Sequence, residues 1–545
     1  MNIELVIDLA LIALYFVVVI SIGLYKGRGD KTMQGFAIGD RNIPWWAVLA
    51  SILAAEISAA TFLGTPGEGY ALRNFTYVQL AIGTVLARLI VSWIFIKPYY
   101  DYRVISIYEY LLLRFGVPSR NGASAVFLIT RALASGTRLY VAAVILVLGY
   151  EMLSGFKPTA SGELWIYVVA LTIVTALTAV YTALGGIKAV VWTDLIQATI
   201  MFGALGFALW ALLRGIPGGW AGAQAMLTAP DDLRVFDSGI KEGRGFLGNA
   251  HSILESEYTL WAAFLGSTFT TMATHGTDQD MVQRMLTAKN PARARLALVC
   301  SGLADIPLVI AFALVGILLW CFYQAHPDPN LPAKNAHVFA YYILHELPVG
   351  LRGLLVAGLF ATAMGSLSTA LNALATSFTE DWYRPYIRPN ATQAQTLRAA
   401  RWSTVGFAIV LIVIGALTAQ LVIANPKSRI IPIVLGVFGY TYGSLLGVFL
   451  AGMLTRTRGN NRGNIVAMIA GFIVVSLLSG LHTDVAILCG MRPPIQPGEH
   501  PWPGITIEFP WRILFGTLVT FAIAICFRTP EEQLAKARAH LANLA

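Results

Sequence analysis

Charge is what this sequence is short of. Asp, Glu, Lys and Arg make up 12% of its 545 residues, about half the quarter that soluble globular proteins carry. Cysteine is scarce as well. The four present (Cys300, Cys321, Cys489 and Cys526) show no CxxC spacing, so they read as small apolar packing residues, with neither a disulfide framework nor a metal site. No HExxH or GxSxG motif occurs and the eight histidines are scattered, which argues against an intramembrane enzyme. Alternating strands bounded by turn residues are missing too, and that excludes an outer-membrane barrel. After the last apolar run only Arg528–Ala545 remains. Such a tail is too short for a kinase or nucleotidase, so a sensor fused to an enzyme is not expected.

What the chain has instead is apolar length. It is 57% hydrophobic with a mean hydropathy of +0.66, and apolar runs recur from end to end. A helix needs about 20 apolar residues to cross the hydrocarbon core, and scanning for such runs gives about 13. They lie near Leu5–Tyr25, Trp45–Gly64, Phe75–Lys97, Ala125–Gly149, Leu164–Ala183, Ala189–Leu213 and Thr259–Ala273. The others lie near Leu296–Phe322, Leu351–Phe378, Thr404–Ala419, Ile430–Leu454, Ile465–Leu481 and Ile513–Phe527. The expected fold is therefore an all-α polytopic membrane protein, multi-pass in the cytoplasmic membrane. Its formal charge of +9 is explained by position. With the N-terminus outside and the C-terminus inside, the short cytoplasmic loops collect most of the Lys and Arg, the bias that orients membrane proteins. The basic balance is a topology signal, and no nucleic-acid partner is implied. The first run lacks a preceding basic residue and is too long for a signal peptide core, so it reads as a retained helix.

Charges inside spans cost about 2.5–3.5 kcal/mol each on insertion scales, which makes each one a site hypothesis. Four stand out: Glu56, Arg138, Asp194 and Asp305. They either pair with one another, Glu56 or Asp305 with Arg138, or line a polar central cavity. The second span runs Ser51-Ile-Leu-Ala-Ala-Glu-Ile-Ser-Ala-Ala-Thr61 and ends in Gly64-Thr-Pro-Gly67. A helix so rich in small residues, followed by glycines and a proline, can unwind at mid-membrane, and its freed carbonyls then line a cavity or coordinate an ion. The carbonyls of Ala54 and Ile57 suit a hard cation, which prefers several oxygens. Close packing between helices explains the same composition. In the ninth span, Thr362-Ala-Met-Gly-Ser-Leu-Ser-Thr369, Ser366 and Thr369 are three apart with Ser368 flanking them, so hydroxyls cover one face of a helical turn; bonding back to their own helix carbonyls is the plainer reading.

Several motifs go further. Tyr108-Glu-Tyr-Leu111 is followed by Arg114-Phe-Gly116. Tyr181-Thr-Ala-Leu-Gly-Gly-Ile-Lys-Ala-Val-Val-Trp-Thr-Asp-Leu-Ile-Gln197 leads into the sixth span. Thr277-Asp-Gln279 precedes Val282-Gln-Arg284, and Phe378-Thr-Glu-Asp-Trp-Tyr383 closes the ninth span. Together, over roughly Ile22 to Leu454, these segments resemble the sodium:solute symporters, a family that includes carriers of sugars, proline, iodide, monocarboxylates, vitamins and sialic acid. The resemblance implies two inverted five-helix repeats, at 45–213 and 259–454, each opening on a broken helix. One extra helix (5–25) would precede them, two (465–527) would follow, and 528–545 would be a cytoplasmic tail. All of it forms one transporter domain.

The resemblance also implies site residues. The family's main sodium site falls on Ala54, Ile57, Thr362, Gly365 and Ser366, and a second sodium site on Asp194, Ser368 and Thr369. Gly365 departs from the pattern because it has no hydroxyl, and Glu56 is the candidate to compensate. The substrate positions that read sugars in some members correspond here to Thr61, Leu80, Thr271, Asp305 and Thr274, so the polyol-reading set is missing. The Pro66-Gly-Glu-Gly-Tyr70 turn is closer to the branch carrying mostly anions, and Arg138 offers a planar fork for a carboxylate. The expected function is uptake of a small organic solute with sodium by alternating access, the solute bearing a carboxylate. A sugar or polyol carrier, a proton-coupled carrier using Glu56, and an uncoupled channel or sensor are the alternatives.

Overall fold

A computed structural model describes residues 3–28, 31–154, 158–424, 436–492 and 507–544. The first residues of the expected span 430–454 lie outside them. Among the described residues the chain is helical, with two isolated bridges and no strand. Within the described residues ten helices are long and apolar enough to cross a membrane, or eleven when the bent pair Trp45–Glu56 and Ala59–Leu72 counts as one span.

The difference from 13 has two local causes. The expected spans at 164–183 and 189–213 form one helical run, Ala160–Gly215, kinked at Gly186 (φ 54°, ψ −153°). That backbone angle is strained for any residue with a side chain, and a Cβ there would come within 2.6 Å of the Phe36 carbonyl oxygen, so glycine is required. The expected span at 259–273 is divided between a π-helical stretch, Ala262–Ser267, and the helix Thr268–Thr277. Neither piece is long enough alone. This segment stands where the second broken helix is expected, yet it runs on with helical backbone angles. Wide i→i+5 turns take the place of an unwound break, and no proline occurs in it to force one.

Helix Trp45–Glu56, by contrast, ends within the run of small residues. Ile57 (φ −83°, ψ 94°) and Ser58 (φ −87°, ψ 169°) are extended, and the chain turns by 63° before Ala59–Leu72. The hydroxyl-rich helix Leu351–Phe378 is buried along nearly its whole length. Around it lie the kinked helix, the helix Val117–Ser154, and the N-terminal helix Ile3–Lys26. The C-terminal helix Glu531–Leu544 packs on the short helix Tyr108–Arg114, with Gln533 Nε2 donating to the carbonyls of Leu112 (3.0 Å) and Leu113 (2.8 Å).

Candidate ion and solute site

The unwound turn frees backbone oxygen. In a continuous helix the Ser58 N–H would bond to the Ala54 carbonyl, but here it bonds to Glu56 O at 3.1 Å. Ala54 O faces Gly365 of the hydroxyl-rich helix. A Cβ at Gly365 would meet Gln197 Oε1 at 3.0 Å, Ala54 O at 3.3 Å and Asp194 Oδ1 at 3.7 Å. Three acceptors thus surround the point where other side chains would begin. Asp194 and Gln197 are 0% and 1% exposed, and among the described residues Asp194 Oδ1 and Gln197 Oε1 have no hydrogen-bond partner. Burying unpaired oxygens is costly, and oxygens converging without a donor are the chemistry of a hard-cation site.

The other Asp194 oxygen is held in place. Ser51 Oγ donates to Oδ2 at 2.5 Å, and Arg284 Nη2 lies 3.5 Å from it while Arg284 Nε donates to Ser51 Oγ at 2.9 Å. The four candidate hydroxyls of the Leu351–Phe378 helix donate to their own helix. Thr362 bonds to Leu359 O, Ser366 to Thr362 O and Ala363 O, and Ser368 and Thr369 to Gly365 O. That matches the plainer reading of these residues and leaves each hydroxyl oxygen with lone pairs to offer.

Glu56 is engaged through one oxygen only, and its Oε2 has no hydrogen-bond partner among the described residues. Its Oε1 forms an ion pair with Arg88, a fully buried arginine from Leu80–Ile94, and lies 2.9 Å from His275 Nε2. Arg88 also donates to Ser301 Oγ at 3.0 Å. The oxygen nearest the Gly365 gap belongs to Gln197. Arg88, His275 and Gln197 are the residues that sequence reasoning passed over. Two of them carried a signal: Arg88 as a charge inside the expected span Phe75–Lys97, and Gln197 as the last residue of the motif that contains Asp194.

Arg138 pairs with neither Glu56 nor Asp305. Its guanidinium lies 5.0 Å from the Phe438 ring, with no carboxylate in ion-pair range among the described residues. It lines a cavity with Ala59, Arg131, Ser135, Asp280 and Ser366, which brings Arg138 and Ser366 together beside the unwound turn. Thr61, Thr271 and Asp305 are not among the residues lining it. Thr61 Oγ1 is 3.5 Å from Ser58 Oγ, Thr271 donates to Thr84 Oγ1 at 3.4 Å, and Asp305 lies near Glu56 and Arg88. Two of the residues lining the cavity, Arg131 and Asp280, belong to a charge network in which the carboxylate oxygens are matched. Arg131 pairs with Asp278 and, at 3.0 Å, with Asp280; Asp280 pairs with Arg284 at 2.8 Å; Tyr442 donates to Asp278 at 2.8 Å.

With this geometry in view, the comparisons decide the class. The profile of the sodium:solute symporter family matches residues 36–471. The chain belongs to that family. It is 28% identical to the sodium-dependent multivitamin transporter of Oryctolagus cuniculus over 524 residues, covering 94% of this chain and 76% of the relative. To the human sodium-coupled monocarboxylate transporter 1 it is also 28% identical, over 88% of this chain and 74% of that protein. The substrate-bound, outward-open structure of a Na+-coupled sialic acid symporter shares its fold, with a TM-score of 0.77 at 21% identity over 95% of this chain and 97% of that one. As a family member this chain is a multi-pass membrane transporter and not an enzyme, and sodium is the ion its family co-transports.

Proposed function

We propose that this symporter imports a carboxylate-bearing solute, with Arg138 reading the carboxylate. The observation that carries this is the state of Arg138: a mid-span guanidinium on a cavity wall, with both expected internal partners engaged elsewhere or out of range. Such a group loses no proton at physiological pH, and an anion arriving with the solute balances it. A relative named for monocarboxylates supports the same choice. The cavity also reaches Ser366, so solute and sodium meet at the unwound turn. Sodium is held by Ala54, Ile57, Thr362 and Ser366, with Gln197 taking the part first assigned to Glu56. Asp194 stands at the boundary between this set and a second set with Ser368 and Thr369. The two inverted repeats, the outside N-terminus, the inside C-terminus and 13 crossings belong to this same reading, as do the solute positions at Thr61, Thr271 and Asp305.

The test is uptake into proteoliposomes under an inward sodium gradient, with acids, sugars and amino acids supplied in turn. Accumulation of an acid, abolished when choline replaces sodium, is the expected result. Accumulation of a neutral sugar, with acids neither transported nor competing, would overturn the assignment.

A further inference from the structure

The N-terminal helix Ile3–Lys26 lies outside the two proposed repeats, and most of its surface is exposed. Its buried residues, Asp8, Tyr15, Val19 and Gly23, form one stripe. Both ends of that stripe are anchored. Asp8 accepts from Arg352 Nε (2.6 Å), Gly350 N (2.8 Å) and Gly353 N (3.0 Å) at the start of the hydroxyl-rich helix. At the other end, Gly23 abuts the Tyr181 side chain, and a Cβ on Gly27 would fall 2.1 Å from Gly185 Cα, beside the kink. Between the anchors Tyr15, 4% exposed, reaches the oxygen cluster. Gln197 Nε2 donates to Tyr15 Oη at 3.5 Å, and Tyr15 Oη donates to Met364 Sδ at 3.4 Å, one residue before Gly365.

We propose that Tyr15 is a positioning residue for the sodium site, holding the Gln197 amide so that its oxygen, rather than its NH2, faces Ala54 O and Asp194 Oδ1. The inference rests on the sodium reading above. A side-chain amide has a donor end and an acceptor end of nearly equal shape. Facing two acceptors across the Gly365 gap, the amide left to itself would turn its NH2 toward them and satisfy both by hydrogen bonding. That turn removes one ligand oxygen and fills the cradle with donors, which repel a cation. Tyr15 opposes it by giving the NH2 an acceptor on the far side, while the sulfur of Met364 takes the tyrosine proton and leaves the tyrosine oxygen free to accept. A helix outside the transport core thereby sets the polarity of an ion ligand inside it.

The experiment is a sodium titration of the purified full-length protein, read as thermal stabilisation by sodium chloride against choline chloride. Tyr15→Phe keeps the ring and removes the acceptor. Its melting temperature in choline should match the parent, while half-maximal stabilisation should need about tenfold more sodium, the size of loss typical when a group orienting a metal ligand is removed. In a Gln197→Glu background both ends of the side chain are oxygen, so adding Tyr15→Phe should cost nothing. Three results would overturn the inference: a Tyr15→Phe titration equal to the parent's, a fall in melting temperature equal in choline and in sodium, or the same loss in the Gln197→Glu background. Asp194→Ala separates the two layers. If it shifts the titration and Tyr15→Phe does not, the Tyr15 role alone fails; if neither shifts it, the sodium site itself is misplaced.

Discussion

Two groups of buried polar side chains lie close together in this protein, and they are built on opposite terms. Around Arg131 every carboxylate oxygen is matched. Asp278 accepts from Arg131, Tyr442 and the Asp280 N–H, and Asp280 accepts from Arg131 and Arg284. Around Gly365 the acceptors outnumber the donors: Ala54 O, Asp194 Oδ1 and Gln197 Oε1 converge, and the two side-chain oxygens have no partner. Closed networks hold helices together and want nothing more, whereas an open set of oxygens has its missing partner in a cation. Arg284 joins the two, since it touches both Asp280 and Asp194. Buried charge alone is therefore a poor guide to an ion site, and unmet acceptors are the better one.

The sharpest way to break the contrast is Arg131→Ala. It strands two buried aspartates, so stability should fall by about 3–5 kcal/mol, the usual cost of breaking a buried pair. Melting should show the same loss in sodium and in choline. A loss confined to sodium would place Arg131 in the ion site instead.

Arg138→Lys comes next. Lysine cannot reproduce the planar fork, and a desolvated carboxylate pair deprived of one partner loses about 2–5 kcal/mol, roughly 30-fold or more in affinity. The loss should fall on acidic solutes and leave the melting temperature nearly unchanged. Equal loss of yield with every solute would make Arg138 structural.

Ser366→Ala is milder. The hydroxyl donates to its own helix, so its removal leaves no orphaned donor, and its contribution as one oxygen among several is about 1 kcal/mol. Sodium activation of uptake should weaken several-fold, and unchanged activation would remove Ser366 from the ligand set.

The smallest expected effect lies away from both clusters, on the short helix Tyr108–Arg114. Burial pushes the Glu109 carboxyl up from its ordinary 4.5 to about 7, with the Ile105 N–H holding it down and Glu380 raising it further. The folded protein keeps this proton more tightly than the unfolded chain, so stability is lost as pH rises from 4.5 through 7. Glu109→Gln should flatten melting temperature against pH between 5 and 8, removing a slope worth about 1–2 kcal/mol at a partly screened site. An unchanged slope would assign it to other groups.

Much of this is legible along the chain because it is local. The break at Ile57–Ser58 falls within a run of small residues, while the expected turn at Gly64–Tyr70 stays helical inside Ala59–Leu72; Asp194 and Arg138 stand out as charges in apolar runs. Pairing is not local. Nothing near Glu56 in sequence announces Arg88 or His275, and Glu56 looks free until folding brings those residues to it. Tyr15 and Gln197 are 182 positions apart, and a tyrosine in a peripheral apolar helix reads as ordinary lipid-facing or packing surface. The number of crossings is also obscured, because a kink at Gly186 and a π-helical stretch at Ala262–Ser267 blur boundaries that apolar runs alone suggest.

The measurement that bears most directly on the account is sodium binding by the purified protein with and without Asp194, followed by thermal stabilisation or by radiolabelled sodium. Binding stabilises in proportion to occupancy. The parent should saturate with sodium and ignore choline. Asp194→Ala also takes an acceptor from Ser51 and Arg284 and so should melt lower in both salts, and it should need at least about tenfold more sodium for half-maximal stabilisation. An Asp194→Ala protein whose sodium curve overlays the parent's would contradict the assignment of the unmet oxygens at Gly365 to a cation.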